Sequence, residues 1–318
     1  MVRKHVHLCL KFAPVCWLGI ALALPGCGGP ASGAALTISP RRVWGGIGST
    51  DGRFSLPRVI DKAHDGSIYV IDKTGRLQHF TADGAFLRGL QFPQMDNGKP
   101  TGMGMAPNGD LYIADTHNNR IDVYDRDLTL LRRWGSYGTR PGEFTYPTDV
   151  AVSAKGEVFV ADYGQVDRVQ KFDRQGKFLM EWGRPGEGPG EFRRPSAIAL
   201  DGKGSVYVAD TANHRVQKFT EDGKLLGVFG GMGSGPGRMK YPYDVIVGRD
   251  GMVYVCEYGN CRVQKFTPDG KSIGMWGMPG REPGMFAQPW GVAISGDMIH
   301  VADTENHRIQ TFALTDIP

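Results

Sequence analysis

Apolar residues along this chain fall in continuous runs of four or five, too short and too unbroken for amphipathic helices, and polar turn signals separate them. From Val206 the order is an apolar run, a polar loop and a second apolar run, VYVADTANHRVQKF. The same order returns as LYIADTHNNRIDVY from Leu111, VFVADYGQVDRVQKF from Val158, VYVCEYGNCRVQKF from Val253, IHVADTENHRIQTF from Ile299 and, more loosely, IYVIDKTGRLQHF from Ile68. The aligned arginines, Arg76, Arg120, Arg168, Arg215, Arg262 and Arg308, stand 44, 48, 47, 47 and 46 residues apart. One unit is therefore repeated six times.

Each unit offers four strand-like runs. In the fourth copy these are 196–200, 206–209, 216–219 and 225–229, with Gly-Lys-Gly at 202–204 and Glu-Asp-Gly at 221–223 between neighbours. Asp-Gly or Asn-Gly pairs at 65–66, 108–109, 250–251 and 269–270 supply the positive φ of tight hairpins. The 46 glycines among 318 residues are about twice the usual share of ~7%, as a chain with this many turns requires. Four strands recurring every 44–48 residues predict an all-β, six-bladed β-propeller of four-stranded antiparallel blades. A blade is covered on both faces by its neighbours, so its strands are apolar nearly throughout. The sixth unit stops soon after Phe312 without an outer strand, whereas RRVWGG at 41–46 precedes the first unit. That N-terminal segment is predicted to pair with the last blade and close the ring, giving a single domain over 41–318.

Ahead of the repeats, Arg3, Lys4 and Lys11 lead into an apolar segment from Phe12 to Leu24. It is too short to span a bilayer comfortably and reads as a cleaved export signal. Leu24-Pro25-Gly26-Cys27 resembles the bacterial lipobox, which implies removal of residues 1–26, acylation of Cys27 and anchorage to a membrane, facing the periplasm or the cell surface. The small-residue stretch 27–40 is the expected tether.

The repeated unit resembles the NHL repeat, whose opening is visible as PTDVAV at 147–152, PSAIAL at 195–200 and PWGVAI at 289–294, followed by the acid and the Arg-Ile/Val-Gln core. The resemblance implies a six-bladed propeller and, as its commonest role, a non-enzymatic binding or scaffold module, here for a peptide, protein or glycan. An alternative follows from similarity to the peptidyl-hydroxyglycine amidating lyases, propellers that hold zinc with three histidines near the channel. The openings PRVI, PTGM, PTDV, PSAI, PYDV and PWGV contain no histidine.

The acid and the arginine of the polar loop recur in every copy: Asp72 and Arg76, Asp115 and Arg120, Asp162 and Arg168, Asp210 and Arg215, Glu257 and Arg262, Asp303 and Arg308. One active site needs no six copies, so these read as loop-fixing pairs. The position before the arginine holds Gly75, Asn119, Asp167, His214, Cys261 and His307, a poor metal set. Cys256 and Cys261 are five apart in one hairpin of an exported protein, where a disulfide is chemically allowed. Recognition is left to residues that differ between blades around the channel mouth: Tyr146, Asp149, Tyr163, Arg193, Arg194, Tyr241, Tyr243, Asp244, Tyr258 and Trp290. No catalytic residue is assigned and no cofactor is expected, although Asp149 and Asp244 could contribute to a Ca²⁺ site. The net charge of +4 and the export signal argue against a nucleic-acid partner.

Overall fold

Strands that are apolar on both faces need a cover on each side, and a ring of sheets supplies it without leaving a first or last member. Six four-stranded antiparallel sheets form this ring in the computed structural model, which describes residues 36–318. The innermost strands are Pro57–Lys62, Gly102–Met105, Tyr146–Val152, Pro195–Leu200, Pro242–Val247 and Val292–Ser295, in blades one to six. Each packs against the innermost strand of the next blade, and the sixth returns to the first. The export segment, Cys27 and most of the expected tether lie outside the described residues. From Leu36 the chain lies along blade five, where Leu36 bridges Trp276.

The N-terminal strand, Arg42–Gly45, closes the ring. It pairs with Arg308–Ala313 in the register Arg42 to Thr311 and Trp44 to Ile309, making the fourth strand of blade six. Trp44 packs against Phe54 and Phe80 at 5.9 and 4.8 Å and donates its indole N–H to Thr311 Oγ1 at 3.1 Å. The core consists of the layers between blades. At the junction of blades six and one, Phe54, Ile68, Val70 and Phe80 meet Ala302 and Ile309 with no exposure. Each such side chain contributes about 1.5–3 kcal/mol by leaving water. The hairpin between the two middle strands of each blade points toward one end of the central channel, the end at which the innermost strands begin.

Candidate site at the channel mouth

The repeated loops are held by six ion pairs. Asp72–Arg76, Asp115–Arg120, Asp162–Arg168, Asp210–Arg215, Glu257–Arg262 and Asp303–Arg308 close to 2.6, 2.9, 3.4, 2.7, 2.7 and 2.6 Å. In blade four the fully buried Asp210 also accepts from the Arg193 backbone N–H at 2.7 Å and from Asn213 Nδ2 at 2.9 Å. Arg215 donates onward to the carbonyls of Glu187, Gly188 and Glu191 at 2.7, 2.7 and 2.8 Å. The pair thus ties the loop of its own blade to the segment arriving from the preceding one. Burial pushes Asp162 up to about 7 against the pull of Arg168.

Two of the three histidines of these loops serve the same purpose. His214 and His307 occupy left-handed backbone positions with φ of 57° and 54°. Their Nδ1 atoms accept the backbone N–H of Tyr241 and Leu56 at 3.0 and 3.1 Å, each in the next blade round the ring. Cys256 and Cys261, between which the sequence allows a disulfide, are both free thiols. Cys256 points into the core between blades five and six beside Trp276 and Phe286, and burial holds its thiol well above the ordinary range. Cys261 sits at the left-handed corner of the loop with Sγ 3.7 Å from the Tyr258 carbonyl.

The innermost strands surround a cavity of about 230 Å³. Its upper rim is set by the residue that follows the opening proline of a blade, Arg58, Thr101, Ser196, Tyr243 and Trp290 in five blades, while Thr148 at the same position of blade three is buried. In blades one, three, four and five the pairing with the second strand skips this residue, a bulge that turns its side chain out of the regular ladder. In blades two, three and four it is a small hydroxyl bonded to the next blade. Thr101, Thr148 and Ser196 donate to the carbonyls of Thr148, Pro195 and Tyr243 at 3.0, 2.8 and 2.9 Å.

Blades five, six and one, consecutive in the ring, carry large side chains there instead. Tyr243 and Trp290 stack with centroids 4.4 Å apart and planes 9° from parallel. The Arg58 guanidinium lies 4.4 Å from the Trp290 ring. Tyr258 meets both rings edge-on at 4.7 and 5.8 Å, and its hydroxyl is 2.8 Å from Gln288 Oε1. On the other side Arg194 lies 5.5 Å from Tyr243 and 5.7 Å from Tyr163, which packs on Tyr146 at 5.2 Å. Arg58, Trp290, Tyr243, Arg194, Tyr163 and Tyr146 therefore form one continuous array of rings and guanidiniums. Four of the residues expected from sequence stand outside it: Asp149 and Asp244 lie below it in the channel, and Arg193 and Tyr241 turn to other partners. Arg193 pairs with Glu187 at 2.6 Å, and Tyr241 packs on His214 at 4.5 Å.

Below the array the channel carries three carboxylates. Asp149 and Asp244 stand two residues after their proline, and Asp61 four after its own. Asp61 accepts from the backbone N–H of Lys62 at 2.7 Å and of Met105 at 3.2 Å, and Asp244 from Val245 and Val292, each at 2.8 Å. Asp149 accepts from Ile198 at 2.9 Å. Every second blade thus lends a carboxylate to the unpaired inner edge of the next. The blades approach so closely here that a Cβ at Gly102 would stand 2.6 Å from Asp149 Oδ1. Burial raises Asp61 to about 6 and Asp244 to about 7, and it lifts Asp149 well above the usual carboxylate range, with the Asp244 charge adding to the effect. Among the described residues, no group of three or more His, Cys, Asp or Glu stands close enough to hold a metal ion.

Arg58 and Asp61 belong to the site although their residue types drew no attention in the sequence. The signal was the column of residues after the opening proline, where PRVI alone places a charge among small hydroxyls and aromatics.

The NHL repeat family matches this chain three times, over residues 97–124, 192–219 and 286–312. Human NHL repeat-containing protein 3 is 37% identical over 84 residues, which are 26% of this chain and 23% of that protein; the chain thus spans under a quarter of that relative's length. Among solved structures, the gluconolactonase XC5397 from Xanthomonas campestris superimposes with a TM-score of 0.63 at 13% identity, covering 91% of this chain and 99% of its own. Virginiamycin B lyase from Staphylococcus aureus does so with a TM-score of 0.59 at 15% identity, covering 88% and 97%. At these identities the solved structures share the architecture alone. Three of the six blades are thus NHL repeats, carried in a six-bladed β-propeller fold.

Proposed function

We propose that this propeller is a binding module that takes a peptide, protein or glycan ligand at the channel mouth, displayed outside the cytoplasm by a lipid on Cys27. One observation supports the reading above the others: the stacked array from Arg58 to Tyr146 is built from residues that differ between blades, and it rims a cavity. Residues common to all blades are consumed by blade geometry. Rigid rings provide a broad contact at small entropic cost, and partly buried ones with a cavity beside them are the usual anchors of recognition.

The test is a screen of peptide and glycan arrays with the full chain, repeated with Trp290→Ala and Arg193→Ala. Binding should weaken by more than about 1 kcal/mol in W290A and stay unchanged in R193A, which lies outside the array. Equal binding by all three proteins would move the site elsewhere.

A second reading is favoured by the three channel carboxylates, because groups held near 6 and 7 can exchange protons at neutral pH. An enzymatic role comparable to that of the lyase and lactonase with the same architecture would use them as acid and base. Turnover of an array-selected ligand, abolished in Asp244→Asn with binding retained, would establish that reading in place of the first.

A further inference from the structure

We propose that Arg58 and Arg194 form an oxyanion site at the channel mouth, which takes the carboxylate of a ligand whose apolar part lies against Tyr243, Trp290 and Tyr258. The proposal rests on the mouth being a binding site and specifies what the ligand must carry.

The arginines of the six loops each have a carboxylate to donate to; five of them also have carbonyls, and Arg120 has a second carboxylate, Asp122, instead. Arg58 is placed differently. It is half-buried, its Nε is shut off from water, and no acceptor among the described residues stands within hydrogen-bond distance of that nitrogen. Its cover is the face of Trp290. The charged groups that act on it are Glu305, which forms no ion pair with it, and Arg194, which repels it. Arg194 likewise rests on ring faces, those of Tyr163 and Tyr243. Two like charges thus rest on ring faces at the two ends of the Trp290–Tyr243 stack, Arg58 on Trp290 and Arg194 on Tyr243. A guanidinium stacked by its face keeps its N–H edge free, and that edge matches a carboxylate with two parallel hydrogen bonds. An anion at the mouth that meets the open terminal N–H groups of both arginines would satisfy donors that now have no partner among the described residues and offset the mutual repulsion.

The surroundings select the kind of anion. Asp61, Asp149 and Asp244 line the same cavity further down, so a doubly charged phosphate meets more repulsion there than a carboxylate does. The rings beside the arginines favour a ligand with an aromatic or branched apolar group next to its acid, as at the C-terminal end of a peptide.

N-acetyl-phenylalanine and N-acetyl-phenylalaninamide differ only in that acid. Their binding to the full chain can be followed by NMR on the Trp290 indole N–H and the Nε–H signals of Arg58 and Arg194, with inorganic phosphate as a third probe. The acid should bind at least about ten-fold more tightly than the amide. Arg58→Gln and Arg194→Gln should each bring the two within about two-fold of one another, the acid losing more than the amide. Arg194 is exposed and its side chain has no hydrogen-bond or ion-pair partner among the described residues, so R194Q tests the idea even if R58Q lowers the melting temperature. Equal binding of acid and amide would overturn the oxyanion site and leave the aromatic binding site standing. If neither probe moved the Trp290 signal at millimolar concentration, both readings would fall. Phosphate binding as tightly as the acid would overturn the assignment to a carboxylate.

Discussion

Arg215 and Arg58 stand at the same end of one propeller and have opposite surroundings. Arg215 meets the buried Asp210 at 2.7 Å and three carbonyls, whereas Arg58 lies on a tryptophan face with a buried donor left unused. An ion pair of the first kind occurs in all six blades, reinforced by carbonyls in every blade but the second, whereas Arg58 has neither carboxylate nor carbonyl partner among the described residues. Where the sequence repeats, polar groups are spent on holding blades together. Where it departs from the repeat, they are left available. A buried charge without a partner lowers stability, and proteins keep such groups where a ligand will complete them.

This contrast is broken most severely from the repeated side. Arg215→Met should leave Asp210 as an uncompensated buried carboxylate and free three loop carbonyls, costing about 3–5 kcal/mol. Equilibrium denaturation of the variant would show this as a fall in midpoint. A loss below about 1 kcal/mol, the value of an exposed surface pair, would mean that the loop pairs do not hold the blades.

The fold was legible because the repeat is a physical necessity written six times. Apolar runs, Asn-Gly and Asp-Gly turns and the orphan strand at 41–46 each point to blades and a closed ring. The channel mouth was legible only in part. Tyr163, Arg194, Tyr243, Tyr258 and Trp290 were found because aromatic and charged residues at blade-specific positions stand out against a repeat. Arg58 was not, because an arginine in a strand opening looks like an exposed polar residue until the bulge after Pro57 is seen to aim it at Trp290. Arg193 and Arg194 are adjacent in sequence, yet one pairs with Glu187 while the other enters the array. Left-handed backbone at Arg194, φ 56°, separates the two side chains. Cys256 and Cys261 looked like a staple because spacing says nothing about which way a strand residue faces.

A second and smaller effect concerns the channel carboxylates, which are partly exposed to the channel where the loop acids are buried, and which have no arginine. Asp61 and Asp244 are raised to about 6 and 7 in the folded chain, so between the unfolded value and these values the native state holds protons that the unfolded state has released. Stability should therefore be highest near pH 4–5 and fall as pH rises through 6 and 7, by about 1.4 kcal/mol per pH unit for each group titrating. Asp149, which the Asp244 charge pushes further up, and Asp162, near 7, add to the slope. Asp244→Asn removes one proton from it. Melting temperatures of the two proteins measured from pH 5 to 8 should converge or cross as pH rises. Parallel curves would show that Asp244 is already ionised across the range.

The smallest expected change is the one that defines the mouth. Arg58→Met keeps the length and much of the packing of the side chain against Trp290 while removing a half-buried charge that has no ion-pair partner. What is lost is the cation–π contact, worth about 0.5–1 kcal/mol or somewhat more where water is excluded. What is regained is the cost of burying the guanidinium and of facing Arg194. These oppose each other, so R58M should lie within about 1 kcal/mol of the wild type and can be the more stable protein. The same substitution at Arg215, an arginine at the same end of the ring, should be several-fold more damaging. Denaturation curves for the two variants side by side make the comparison. If R58M lost as much as R215M, Arg58 would be part of what holds the ring together, and the idea that departures from the repeat are kept for recognition would lose its clearest example.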